Sequence, residues 1–171
     1  EARAPVVARM DADDVARPPR LALQAERLER DTAVDILGCR VALVSSPGFA
    51  AGEGMRSYVE WQNSLVDHDA MARDRFVESP LVHPSVAMRA TTLRRLGGWR
   101  DFDGPEDYDL WLRGFDAGLR FAKLEETLVS HDEQLEPSDV PEVSCVVRPA
   151  LPPRLWEQIA SLEDVAIACD A

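Results

Sequence analysis

The chain has 171 residues, 46% hydrophobic and 29% charged, a balance that suits a folded domain with a sizeable core and argues against a disordered segment. Its 31 acidic and 19 basic residues give a formal net charge of -12, which excludes a general affinity for nucleic acid or anionic membrane, because both demand a basic face. A phosphate ligand stays compatible with this charge, since a bound divalent cation reverses the local field.

Pro5-Val6-Val7-Ala8-Arg9-Met10 reads as a buried strand that stops in Asp11-Ala12-Asp13-Asp14, three carboxylates within four residues. In an open α/β sheet, ligands bind beyond the carboxyl ends of the strands. Carboxylates bunched there call for a cation, and Mg²⁺ or Mn²⁺ takes oxygen ligands from carboxylates and substrate phosphates. The stretch therefore predicts a metal and diphosphate site, with a solvated acidic turn capping the next helix as the alternative.

Pro18-Pro19 suits a helix start, and Leu21, Ala25 and Leu28 continue at helical spacing through Arg30. Val34 to Val44 is β-rich and predicts one or two strands interrupted at Gly38. Pro47, Gly48, Gly52 and Gly54 mark Ser45 to Gly54 as a mobile loop. Met55 to Val66 carries a helical apolar stripe, and a second helix is expected over Ala70 to Val77, ending before Pro80. Leu81 to Arg89 reads as a loop feeding a strand, followed by a short helix that Gly97-Gly98 stops. Pro105 opens another helix, with Tyr108, Trp111, Leu112 and Phe115 on one face and Gly118 near its end. Phe121 to Val129 is expected as a strand with Leu124 and Leu128 inward.

The polar segment Glu133 to Glu142 reads as a linker. Val143 to Val147, Leu155 to Leu162 and Val165 to Cys169 then predict a strand, helix, strand unit that could complete the same sheet. The class is α/β, a mixed sheet flanked by helices. The expected organisation is a core over 1–131, a linker over 132–142 and a tail over 143–171. Cys39, Cys145 and Cys169 are odd in number and lack ligand spacing, which fits a reduced, cytoplasmic compartment. No signal peptide and no membrane-spanning run is read.

A second acidic cluster, Glu106-Asp107-Tyr108-Asp109, opens the helix after Pro105. Backbone N–H groups and the positive end of the helix dipole favour carboxylates there, whether as a simple helix start or as a general base held in one direction.

Taken together, these stretches resemble the family-2 glycosyltransferases of the GT-A fold, a Rossmann-like architecture. The likeness runs in order through Val6 to Asp14 with Pro19-Arg20-Leu21, then His83-Pro84-Ser85-Val86, Leu96-Gly97-Gly98-Trp99, and Glu106-Asp107-Tyr108-Asp109-Leu110-Trp111-Leu112-Arg113. It covers Ala4 to about Val129. The resemblance implies sugar transfer from a nucleotide-sugar to an acceptor hydroxyl of a glycan, lipid or other molecule, with inversion at the anomeric carbon. By that likeness Asp13 would ligate a divalent metal, Mn²⁺ or Mg²⁺, on the diphosphate, and Asp11 would approach the ribose or share the metal shell. Asp107 would be the base, with Glu106 supporting it, and His83 and Trp99 would lie near the acceptor pocket. His131, after the last core strand, is a further candidate metal ligand or a plain surface histidine. His68 reads as a helix-end residue, and Trp111 as packing.

Family members place nucleotide-binding strands before the Asp-x-Asp strand. Here few residues precede it, so the expectation is a domain lacking the N-terminal part of that half. The tail faintly resembles the missing segment, which would put Asp170 near the nucleotide base in a permuted or tandem arrangement. Two alternatives stand beside transfer. One is a non-catalytic remnant or scaffold whose exposed apolar face would favour a homo-oligomer. The other is a phosphatase, since Asp11, Asp13 and Val15 also fit an Asp-x-Asp-x-Val nucleophile loop, with Lys123 the lone lysine.

Overall fold

The computed structural model describes residues 4–12, 14–44, 51–101, 103–132 and 165–169. The strands are β1 (Val6–Met10), β2 (Val15–Ala16), β3 (Ile36–Val44), β4 (Ala87–Arg89), β5 (Phe121–Asp132) and β6 (Val165–Cys169). The helices are α1 (Arg20–Arg30), α2 (Glu53–Ser64), α3 (His68–Asp74), α4 (Ala90–Leu96) and α5 (Glu106–Asp116), with a 3₁₀ turn at His83–Ser85. One six-stranded mixed sheet has the order β2-β5-β3-β4-β1-β6. The α/β class read from the sequence is the one observed.

The central strands are apolar at successive positions because both faces of the sheet are covered. Ile36, Met88 and Phe121 point into a cluster with Met71, Leu110 and Trp111 from α3 and α5. Their neighbours Leu37, Ala87 and Ala122 point the other way, against Leu28 of α1. Alternation of side chains along a strand makes adjacent residues serve opposite cores. Each large side chain buried in this way contributes about 1.5–3 kcal/mol.

Several boundaries differ from those expected. Strand β3 runs unbroken through Gly38, and the irregularity falls between Cys39 and Val41, where the pairing with β5 shifts register. Gly38 is needed for space rather than for a break, since a Cβ there would lie 2.7 Å from Leu81 Cδ2. Helix α2 starts at Glu53, so Gly54 is helical, while residues 45–50 of the expected loop lie outside the described residues. Helix α3 starts two residues earlier than expected because the Asp67 side chain accepts from the Ala70 N–H at 2.8 Å and caps it. Strand β5 extends three residues beyond Val129, to Asp132.

Strand β6 pairs in parallel with β1 in the register Val6↔Val165 to Met10↔Cys169. The expected linker, the strand over Val143 to Val147, the helix over Leu155 to Leu162, and Asp170 lie outside the described residues, as does Asp13. No helix among the described residues is long and apolar enough to cross a membrane.

Candidate active site

Strand β1 ends at Met10, and its chain enters the acidic turn held by a backbone bond from the Asp14 N–H to the Asp11 carbonyl at 3.2 Å. The strand end that leads into the turn is held by a buried arginine. Arg20, at the first position of α1, donates through Nη2 to the Arg9 carbonyl at 2.7 Å and through Nε to Gln24 Oε1 at 3.1 Å. Gln24 in turn donates to the carbonyls of Leu37 and Ser85 at 3.1 and 2.8 Å. Burial pushes the Arg20 guanidinium down from the usual arginine range, opposed by Cys39, Asp14 and Asp11. One guanidinium thus ties the end of β1 to α1, just ahead of the acidic turn.

Asp11 is paired. Arg9 reaches its Oδ1 from Nε at 2.9 Å and from Nη2 at 2.8 Å. The same guanidinium carbon lies 5.9 Å from the centroid of Trp99, within cation–π range. Trp99 donates its indole N–H to His83 Nε2 at 3.1 Å. His83 also has the fully buried Trp111 at its edge, with centroids 6.2 Å apart. Burial first, then the charge of Arg9, pushes His83 below the usual histidine range, while Asp107, Asp11 and Glu106 push back.

Two glycines aim Trp99. Gly97 and Gly98 close α4 with φ of 80° and 74°, a left-handed conformation that side chains with a Cβ resist. Arg113 of α5 then donates to the carbonyls of Leu96 and Gly98, the latter at 2.9 Å. It also donates through Nε to Asp109 Oδ2 at 2.8 Å, and Arg100 holds the same carboxylate. Hydrogen bonding by Arg100, with Arg113 adding to it, keeps the Asp109 carboxyl below the usual carboxylate range. Asp109 is therefore a structural tie between the Trp99 loop and α5. Glu106 and Asp107 occupy the first turn of α5, half-buried, where the helix dipole favours negative charge.

His131 meets the acidic turn from another direction. The antiparallel pairs Val15↔Ser130 and Ala16↔Val129 bring it beside Asp14, and its Nδ1 lies 2.7 Å from Asp14 Oδ1. Of the expected site residues, His83 and Trp99 touch each other, and Asp11 reaches them through Arg9. Asp107 and Glu106 act on the same imidazole by charge. His131 sits on the Asp11 to Asp14 turn, and Asp13 is outside the described residues. Sequence reading passed over Arg9 and Arg20 as working residues, although Arg20 stood in the Pro19-Arg20-Leu21 stretch, and counted Asp14 only as one of the three carboxylates of the acidic run.

Among the described residues, no group of three or more His, Cys, Asp or Glu side chains is gathered closely enough to hold a metal. The donors on and beside the turn are carboxylates and an imidazole, a set whose chemistry fits Mn²⁺ or Mg²⁺. A separate cavity of about 490 Å³, lined by His68, Phe76, Leu112 and Phe115 among others, includes none of the site residues.

Fold and site thus define an α/β protein whose acidic strand end and acidic helix start share one aromatic junction. The chain is 31% identical over 125 residues to the Bacillus subtilis protein named "Putative glycosyltransferase EpsE", a match covering 71% of this chain and 41% of that one. It is 27% identical over 130 residues to "Uncharacterized glycosyltransferase MJ1057" of Methanocaldococcus jannaschii, covering 76% and 42%. Against the Escherichia coli "UDP-Gal:alpha-D-GlcNAc-diphosphoundecaprenol beta-1,3-galactosyltransferase" it is 29% identical over 125 residues, covering 72% and 42%. The chain thus spans about two fifths of the length of these relatives, all named as glycosyltransferases. No protein-family model matches it. These similarities support a glycosyltransferase in general and do not favour the scaffold or phosphatase alternatives.

Proposed function

We propose that this chain works in a metal-dependent, inverting glycosyltransferase that moves a sugar from a nucleotide-sugar to an acceptor hydroxyl. One observation carries the reading. The Arg9 guanidinium that pairs with Asp11 lies over Trp99, whose indole donates to His83, and His83 has Trp111 of α5 at its edge, so the acidic strand end and the helix opened by Glu106 and Asp107 meet at one junction. Transfer between a leaving diphosphate and an incoming hydroxyl needs such a pair of sites. The likeness to proteins named as glycosyltransferases supports the same reaction class.

In this reading Asp107 takes the proton of the acceptor hydroxyl, and the acceptor oxygen bonds to the anomeric carbon on the face opposite the leaving group. The bond from that carbon to the diphosphate oxygen breaks, which inverts the configuration. The proton remains on Asp107 until solvent takes it. Glu106 reinforces the negative field, and the first turn of α5 fixes the base in direction. His83 and Trp99 offer the acceptor an imidazole and an aromatic edge. Asp13, Asp11 and His131 would hold the cation, which when bound offsets charge developing on the leaving diphosphate.

Calorimetric titration with uridine diphosphate, with and without Mn²⁺, tests the donor half, uridine being the nucleotide in the name of the E. coli relative. Binding that needs Mn²⁺ and disappears in Asp13→Asn is expected. Failure of the folded chain to bind any nucleoside diphosphate in the presence of Mn²⁺ would sink the reading.

A further inference from the structure

We infer that Asp14 is the positioning residue for His131, holding the imidazole in the tautomer that turns Nε2, and not Nδ1, toward a cation at the acidic turn. This rests on the reading of His131 as a cation ligand. The contact is built by the sheet, because Asp14 and His131 are the next positions outward from the Val15↔Ser130 pair. Their side chains meet at 2.7 Å through Asp14 Oδ1 and His131 Nδ1.

A carboxylate can only accept, so the proton of this contact sits on Nδ1 and the lone pair of the neutral ring falls on Nε2. Burial separates the roles of the two carboxylates. The Asp14 side chain has 0% exposure, behind an imidazole that is 26% exposed, whereas the Asp11 side chain is also 26% exposed. The His131 ring thus has an edge open to solvent, while the buried Asp14 can act only through the ring. A carboxylate behind a ligating imidazole sets its orientation and raises its basicity, and removing such a partner typically costs about 10–100-fold in metal affinity.

The chain contains three histidines, so ¹⁵N-histidine labelling with His68→Gln, His83→Gln and His131→Gln assigns every ring. His68 is an internal reference, because the Phe121 N–H donates to its Nδ1 at 3.3 Å and requires the opposite, Nε2–H tautomer. Long-range ¹H–¹⁵N spectra at pH 8 are expected to show His131 with its proton on Nδ1. Asp14→Ala should move that proton to Nε2 and leave His68 as it was, whereas Asp14→Asn, which keeps an accepting oxygen, should retain the Nδ1–H form. Titration with MnCl₂ should broaden His131 before His68, and should need about 10-fold more MnCl₂ in Asp14→Ala.

An Nε2–H ring or an imidazolium at His131 in the folded wild type overturns the inference, as does a tautomer indifferent to Asp14→Ala. Should Asp14→Ala fail to fold, the wild-type tautomer and the Asp14→Asn affinity decide. An Nδ1–H ring that MnCl₂ does not broaden would remove the cation-ligand reading and this role with it. A wrong tautomer with broadening would remove the role of Asp14 alone.

Discussion

The Trp99 indole N–H donates to His83 Nε2 across 3.1 Å, so the imidazole is an acceptor there and its own proton lies on Nδ1. A bond of this kind exists only while His83 is neutral. It joins the loop after α4 to the 3₁₀ turn ahead of β4, between the two acidic stretches.

Trp99→Phe keeps an aromatic face and removes the donor. Because the bond favours neutral His83, the histidine titration should move up in the variant, toward the ordinary value near 6.5. The folded wild-type group lies below its unfolded value, so its contribution to stability is present above about pH 6.5 and is lost as pH falls from there through the lower folded-state value. The variant should therefore lose less stability between neutral pH and the folded-state titration. Histidine proton shifts against pH, with urea unfolding at each pH, check both; an unchanged titration would count against the bond.

Asp107 and Asp109 lie two residues apart and should fail differently. Asp107→Asn is expected to lower sugar transfer by about 10²–10⁴-fold with little change in melting temperature, as loss of a general base does. Asp109→Asn breaks charge-assisted bonds to Arg100 and Arg113, and should cost roughly 1.5–3 kcal/mol of stability. Transfer at the wild-type rate in Asp107→Asn would remove its assigned role.

Arg20→Lys is not conservative in this setting. A lysine cannot span the Arg9 carbonyl, Gln24 Oε1 and Met10 Sδ that the guanidinium fork reaches together. Buried polar groups lose their partners, so we expect a loss of about 2–4 kcal/mol in chemical denaturation. Metal-dependent nucleotide binding should weaken as well, because the same fork holds the strand end that leads into the acidic turn.

Lys123 is buried in β5, and its Nζ donates to the carbonyl oxygens of Gln62 and Pro80. Burial brings it down to about 7. The unfolded lysine titrates near 10.4, so the unfolded chain binds more protons above pH 7 and stability rises with pH. Burial holds Cys39 up at about 11, and that thiol opposes the rise once its unfolded form ionises near pH 8.5. Between pH 7 and 8.5 the Lys123 gain should be about 1–2 kcal/mol in urea unfolding. A Lys123→Met variant should lose this slope.

The sequence alone determined the local events. The apolar run Val6–Met10, the Gly97-Gly98 stop and the acidic start of α5 are set by side-chain period, positive φ and dipole, all of which act within a few residues. These were enough to read the α/β class and to mark the two acidic clusters, while the resemblance to the family-2 glycosyltransferases marked Asp11, His83, Trp99, Glu106 and Asp107 as candidate site residues. Only the tertiary structure decided who pairs with whom. Nothing in the spacing of Asp14 and His131 brings them together; the β2–β5 register does. Arg20 looks like an ordinary helix-surface arginine until the strand end is laid over it, and Lys123 looks solvated until Pro80 closes above it. Burial and long-range pairing depend on which surfaces meet, and that information lies in the packing of the whole sheet rather than in any one stretch.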